Sequence, residues 1–348
     1  MILQTLVVQN FRNFEQSVYE FNPNLTIIIG KNTRGKTSLL ESVYTLLHGE
    51  GFRESREEEL IRWEQPMANI AGKFRTLHDE LQFQVMFREM GERVEKSYFF
   101  NKTKRTLFQY LTDQTRAVLF TPDTIEIITG APLLRRNYLN KILSAADITY
   151  KKKLTNYENA IRRRNKLLEQ HRSREDLQDE LTFWDQYLEE NGSYITAKRE
   201  EYIKWLNENN TLDTRSFEVR YRKNEISVAR LQETFELERK MRKTSIGPQK
   251  DDIEIYITSA KTTKNVALYG SRSEQRLTMF WMKLNEIRYI EAEIGKRPLL
   301  LLDDVFSELD MSNKATVMNL ISEYQTILTT TEEELLDLTH TDRTIINL

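Results

Sequence analysis

Gly30-Lys31-Asn32-Thr33-Arg34-Gly35-Lys36-Thr37 matches the pattern G-x-x-x-x-G-K-[ST], and its surroundings decide the fold class. Residues 25–29 form a β-branched run that predicts a strand, and Leu39, Leu40, Val43, Leu46 and Leu47 recur at helical spacing from Ser38 onward. Strand, glycine-bearing loop and helix are the context this motif needs. The loop lets consecutive backbone N–H groups face phosphates at a helix N-terminus, where the helix dipole also favours an anion. Residues 30–37 are therefore the candidate nucleotide contacts, with Lys36 supplying charge to the β and γ phosphates and Thr37 a hydroxyl for Mg²⁺. A chance match in a chain of this length is on the order of one in a hundred before that context is counted.

A phosphate loop of this kind needs a carboxylate at the end of a neighbouring strand. Leu299-Leu300-Leu301-Leu302-Asp303-Asp304 supplies one, four leucines being too short a run for anything but a buried strand. Asp303 is the metal candidate, and Asp304 is placed to polarise a water for attack on the γ phosphate. The bland alternative is an acidic pair that caps the following helix.

The rest of the chain fits around these two segments. Residues 2–8, 81–87, 97–100, 252–257 and 325–329 read as strands, and 274–294 as a helix. Between 148 and 209 Gly and Pro almost vanish. Leu154, Tyr157, Ile161 and Leu168 mark one helix there, and Leu177, Leu181, Trp184, Leu188, Ile195, Tyr202 and Trp205 another. Either two antiparallel helices form a short coiled-coil arm, or two ordinary amphipathic helices pack on a core. Strands at both ends with helices between them fit a sheet built from both ends of the chain with a helical insertion better than two sequential domains.

Composition bounds the function. Fifty-one basic against 53 acidic residues leave a formal charge of −2 in 348 residues, so attraction to an anionic partner must come from local patches. Residues 151–174 hold one, with nine basic side chains (Lys151, Lys152, Lys153, Arg162, Arg163, Arg164, Lys166, Arg172, Arg174) against two acidic ones. Such a run could track DNA phosphates, or be a solvated helix face. Arg239, Lys240, Arg242 and Lys243 make a shorter patch, while Glu57 to Glu59 and Glu332 to Glu334 read as solvated surface. With no cysteine there is no disulfide or thiolate metal site. A mean hydropathy of −0.60 and no 18-residue apolar run argue against a membrane span. Residues 1–10 lack the pattern of a secretion signal, so a soluble, cytoplasmic protein is expected.

Several segments resemble a known family. The loop form Gly-x-Asn-x-x-Gly-Lys-Thr, the late acidic strand and Ser307-Glu308-Leu309-Asp310 just after it resemble the ABC-type heads of the SMC group. More narrowly, the chain is similar to the RecF family of bacterial recombination mediator ATPases. That resemblance rests on Asn10-Phe11-Arg12-Asn13-Phe14, Leu39-Leu40-Glu41-Ser42-Val43-Tyr44, Phe52-Arg53, Phe120-Thr121-Pro122-Asp123, Gly130-Ala131-Pro132-Leu133-Leu134-Arg135-Arg136-Asn137-Tyr138-Leu139 and Gly247-Pro248-Gln249-Lys250-Asp251-Asp252. Three positions depart from it. Thr33 stands where the family has a second loop glycine, Asn140 where it has Asp, and Ser273, in the signature-like segment 271–276, where it has glycine.

The resemblance implies an SMC-like, ABC-type P-loop ATPase head with a helical second lobe inserted. Its expected parts are 1–147, carrying the phosphate loop; 148–240, the helical insertion; and 241–348, carrying the signature-like segment, the acidic strand and 307–310. It also implies that Ser271 and Gln275 cover an ATP held by the phosphate loop of a second copy, so that ATP drives homodimerisation. DNA at single-strand/double-strand junctions and RecR-like and RecO-like mediator proteins are the implied partners, in recombinational repair and replication restart. Thr33 implies a loop backbone that is less free, and Ser273 a weaker γ-phosphate contact across the dimer. They leave open a scaffold that binds ATP without hydrolysing it, or another SMC/ABC-type ATPase subunit.

Overall fold

The structure is a computed structural model that describes residues 1–31, 33–53, 56–91, 93–112, 114–170, 174–212, 214–259, 262–305, 322–331 and 342–348. The chain divides into two compact units, residues 1–124 with 290–348, and residues 125–289. The expected insertion at 148–240 lies inside the second unit, which also takes in 125–147 and 241–289. The helix Pro132–Ala146 and the strand Asp252–Ser259 account for this, since they pack on and pair with elements of the 148–240 segment.

The first unit is built on two sheets. Five parallel strands run in the order Arg343–Asn347, Leu25–Ile29, Thr326–Thr330, Leu299–Asp303, Ala117–Phe120. They come from both ends of the chain, as the strand pattern predicts. Leu299 to Leu302 are fully buried, which is why that strand reads as an unbroken apolar run: a central parallel strand is covered on both faces. A six-stranded antiparallel sheet runs in the order Phe14–Glu20, Ile2–Phe11, Met67–Arg75, Glu80–Met90, Arg93–Phe100, Thr103–Arg105. Buried Gln325 joins the two sheets, accepting from Leu3 N at 2.8 Å and donating to Leu3 O at 2.7 Å and Asn22 O at 3.0 Å.

The register of the parallel sheet positions the site. Ile29 pairs with Thr330, and Asp303 with Thr329, so three strands finish level at their carboxyl ends. That edge is where open α/β sheets bind ligands. The helix Lys36–His48 starts there and buries Leu39, Leu40, Val43, Leu46 and Leu47.

In the second unit the helices Ile148–Leu168 and Arg174–Glu208 lie antiparallel, as shown by the pairs Asp147 with Tyr194, Lys153 with Glu190 and Arg164 with Asp185. They do not project as a bare arm. Leu167, Leu168, Leu177, Leu181 and Phe235 form a buried cluster with Trp184 against it, so the helix Phe235–Met241 covers this end of the pair. Among the described residues no helix is long and apolar enough to cross a membrane.

Candidate functional site

The first unit holds a cleft of about 1140 Å³ at the carboxyl edge of the parallel sheet, and Gly35, Lys36, Thr37, Asp303, Asp304 and Thr329 are among its lining residues. Gly35 precedes the helix with φ 104°, a backbone that an L side chain rarely adopts, and a Cβ there would sit 2.5 Å from Asn13 Nδ2. No side chain caps this helix, so its first N–H groups remain available to an anion. Lys36 is buried, and its ammonium donates to the loop's own carbonyls, Gly30 O at 2.6 Å and Lys31 O at 3.3 Å.

Across the loop, Thr37 Oγ1 donates to Asp303 Oδ1 at 3.1 Å. The same carboxylate oxygen accepts from Thr329 Oγ1 at 2.7 Å, and Thr329 Oγ1 accepts from Asp304 N at 3.0 Å. Burial pushes the Asp303 carboxyl above the ordinary carboxylate range, against the pull of the two hydroxyls and of the charges on Arg53 and Lys36. Asp304 is half-buried beside it, with φ 51° turning the chain away from the strand. The structure thus brings Lys36, Thr37, Asp303 and Asp304 into one cleft. Thr329, which the sequence marks only as the end of a strand, belongs with them; its signal is its place at the carboxyl end of a strand neighbouring the acidic one.

Thr33 adopts φ 71°. A β-branched residue in the left-handed region costs about 1–2 kcal/mol, so the loop keeps the conformation a glycine would allow and carries strain there. Asn32, Ser307-Glu308-Leu309-Asp310 and Glu332 to Glu334 lie outside the described residues.

Glu41 ties three of the resemblance segments to the cleft. It is fully buried in the phosphate-loop helix and accepts from Arg12 Nε at 2.8 Å and Nη2 at 3.0 Å, and from the backbone N–H groups of Phe52 at 3.3 Å and Arg53 at 3.0 Å. Arg12 sits in the hairpin turn between Ile2–Phe11 and Phe14–Glu20 with φ 52°, and this fork of charge-assisted bonds holds the strained turn in place. Arg12, Asn13 and Arg53 all line the cleft.

Ser271 and Gln275 belong to the second unit, at the start of the helix Arg272–Ile294. Ser271 and Glu274 form a capping box: Ser271 N donates to Glu274 Oε2 at 2.7 Å, and Glu274 N to Ser271 Oγ at 3.3 Å. Burial opposes ionisation of Glu274, yet the Ser271 N–H, the Ser271 hydroxyl and Lys264 hold its carboxyl down at about 2. Gln275 Nε2 donates to Val266 O at 3.4 Å, and Ser273 lies exposed in the first turn.

The candidate DNA-facing set needs a correction. Arg164 is fully buried, with Nε donating to Asp185 at 2.7 Å and Nη1 to Glu238 at 2.6 Å and to Thr244 Oγ1 at 3.0 Å. It binds three helices together and cannot meet a phosphate. At 100° per residue Arg164 falls on the face of Tyr157, Ala160 and Leu168, all buried. Lys152, Arg162, Arg163 and Lys166 share the exposed face, while Lys151 and Lys153 are half-buried and Lys153 pairs with Glu190 at 2.5 Å.

The RecF/RecN/SMC N-terminal domain matches residues 2–346. The DNA replication and repair protein RecF of Alkaliphilus oremlandii (strain OhILAs) is 30% identical over 366 residues, covering 99% of this chain and 98% of that protein. The chain belongs to the RecF family. A solved structure of the recombination mediator protein RecF-ATPrS in the RecFOR pathway superposes with a TM-score of 0.85 at 28% identity, covering 95% of this chain and 92% of that one. The SMC head bound to the C-terminal winged-helix domain of ScpA, 18% identical with a TM-score of 0.54 over 97% of this chain and 91% of that one, shares the fold. The architecture is thus the RecF and SMC type of ABC ATPase head.

Proposed function

We propose that this RecF-family ATPase binds Mg-ATP in the cleft of its first unit and acts in DNA repair and replication at junctions of single-stranded and double-stranded DNA. The observation that carries the reading is the meeting of Thr37 Oγ1 and Asp303 Oδ1, 3.1 Å apart at the mouth of an uncapped helix. A hydroxyl and a buried carboxylate are the hard oxygen donors that Mg²⁺ takes. Among the described residues no three or more His, Asp or Glu side chains are grouped so as to hold a metal ion by themselves. Phosphate oxygens and water would complete the shell, and the cation would offset the cost of ionising Asp303.

Lys36 needs only to exchange the carbonyls of Gly30 and Lys31 for phosphate oxygens. Asp304, beside the metal position, would orient and deprotonate the attacking water, with Mg²⁺ neutralising charge on the phosphates. Ser271 and Gln275 of one copy would close on the ATP of another, the N-terminus of Arg272–Ile294 pointing its dipole at the γ phosphate. ATP would then favour the dimer and hydrolysis its release. Lys152, Arg162, Arg163 and Lys166 supply a stripe for backbone phosphates. RecR-like and RecO-like proteins are the expected partners.

A second reading, an ATP-gated scaffold without turnover, is favoured by the strain at Thr33 and by Ser273. ATP turnover of the parent and of Asp304→Asn, with and without gapped DNA, separates the two. The ATPase reading expects stimulation by DNA, and a loss in the variant of roughly a hundred- to ten-thousandfold with ATP still bound. No turnover by the parent, with DNA binding that still requires ATP, would favour the scaffold.

A further inference from the structure

Trp63 is 86% exposed, and it lines the same cleft as the phosphate loop. The chain goes to some length to hold it there. Its segment is tied to the strand that leads to Arg12: Arg12 N donates to Leu60 O at 3.0 Å, Ile61 pairs with Phe11, and Arg62 N donates to Asn10 O at 2.8 Å. A tight turn then closes through Gln65 N to Arg62 O at 3.0 Å, with Trp63 at its corner. The next residue, Glu64, has φ 61°, where a turn of this kind favours glycine. A strained, backbone-fixed turn thus presents a large aromatic to solvent beside a nucleotide-sized cleft. Neither the strain nor the exposure serves packing.

We infer that Trp63 is the platform on which the base of the bound nucleotide stacks. The inference rests on the nucleotide reading above and adds its base-contacting residue. Glycine-loop amides and Lys36 grip phosphates and cannot sense a base, so recognition of the base needs a group elsewhere on the cleft wall. An indole face gives a broad stacking surface, already fixed before the ligand arrives. Trp63 therefore adds affinity for a nucleoside triphosphate that a bare polyphosphate cannot gain.

The test compares binding of ATP and of inorganic tripolyphosphate, both with Mg²⁺, to the full-length parent, Trp63→Ala and Trp63→Phe. In the parent, ATP binds more tightly than tripolyphosphate and quenches tryptophan emission, which tripolyphosphate does not. Trp63→Ala weakens ATP by about tenfold or more, the range of base stacking on an aromatic, and leaves tripolyphosphate unchanged. Trp63→Phe recovers most of the loss. Equal ATP affinity in parent and Trp63→Ala would overturn the inference and leave the phosphate loop intact as a site. So would a parallel fall for both ligands, because that marks a general disturbance of the cleft wall. A parent that binds neither ligand would overturn the nucleotide reading itself, and this inference with it.

Discussion

Replacing Arg164 with Ala should destabilise the second unit far more than replacing either neighbour in the same basic run. Arg164 has no exposed surface, and its two carboxylate partners are 7% and 0% exposed. Removing the guanidinium takes the cation away from two buried acids. Glu238 keeps bonds from Ser245 N and Ser245 Oγ, whereas Asp185 loses its bond from Arg164 Nε. Breaking a buried pair this way costs about 3–5 kcal/mol. Arg162 and Arg163 are exposed, and their loss should stay within about 0.5 kcal/mol. Urea unfolding followed by tryptophan emission is a suitable assay, since Trp184 packs on the neighbouring cluster. Combining Arg164→Ala with Asp185→Ala should cost less than the two separate losses together, because both changes remove the same buried ion pair. Equal unfolding midpoints for Arg164→Ala and Arg163→Ala would refute the buried triad and return Arg164 to the surface.

Three further outcomes are expected. Thr33→Gly should gain up to about 1 kcal/mol in thermal unfolding, since relief of about 1–2 kcal/mol of left-handed strain outweighs the extra chain entropy of glycine; a loss of stability would contradict the loop conformation. Glu41→Ala should cost about 2 kcal/mol or more and weaken ATP binding in calorimetric titration, because it releases the Arg12 turn and the Phe52-Arg53 backbone together. Arg162→Ala with Arg163→Ala should reduce the slope of log DNA affinity against log salt by up to about two units, measured across a salt series.

The phosphate loop and the acidic strand were legible because each is a local pattern: a turn composition between two periodicities, and an apolar run that ends in carboxylates. Their meeting follows from parallel register, which sequence spacing alone does not fix. Ala117–Phe120 and Arg343–Asn347 carry short runs with weak patterns and were not predicted as strands. Arg215–Arg222 had a usable signal in the alternation of Phe217, Val219 and Tyr221 with polar residues. The basic run misled at Arg164 because charge was counted along the chain and not around the helix. Helical phase places Arg164 with Tyr157, Ala160 and Leu168, and the interior supplied the two acids that make such a burial tolerable. The strain at Thr33 was foreshadowed by its place in the loop, but only the backbone shows that the turn kept its shape.

The central claim is that Lys36 and its loop hold the ATP that joins two copies. Sedimentation of the parent and of Lys36→Met, each with and without Mg-ATP, tests it most directly. The account predicts that Mg-ATP shifts the parent to a dimer and leaves Lys36→Met a monomer, since the variant lacks the charge that holds the phosphates. A variant that dimerises with Mg-ATP as readily as the parent would contradict it.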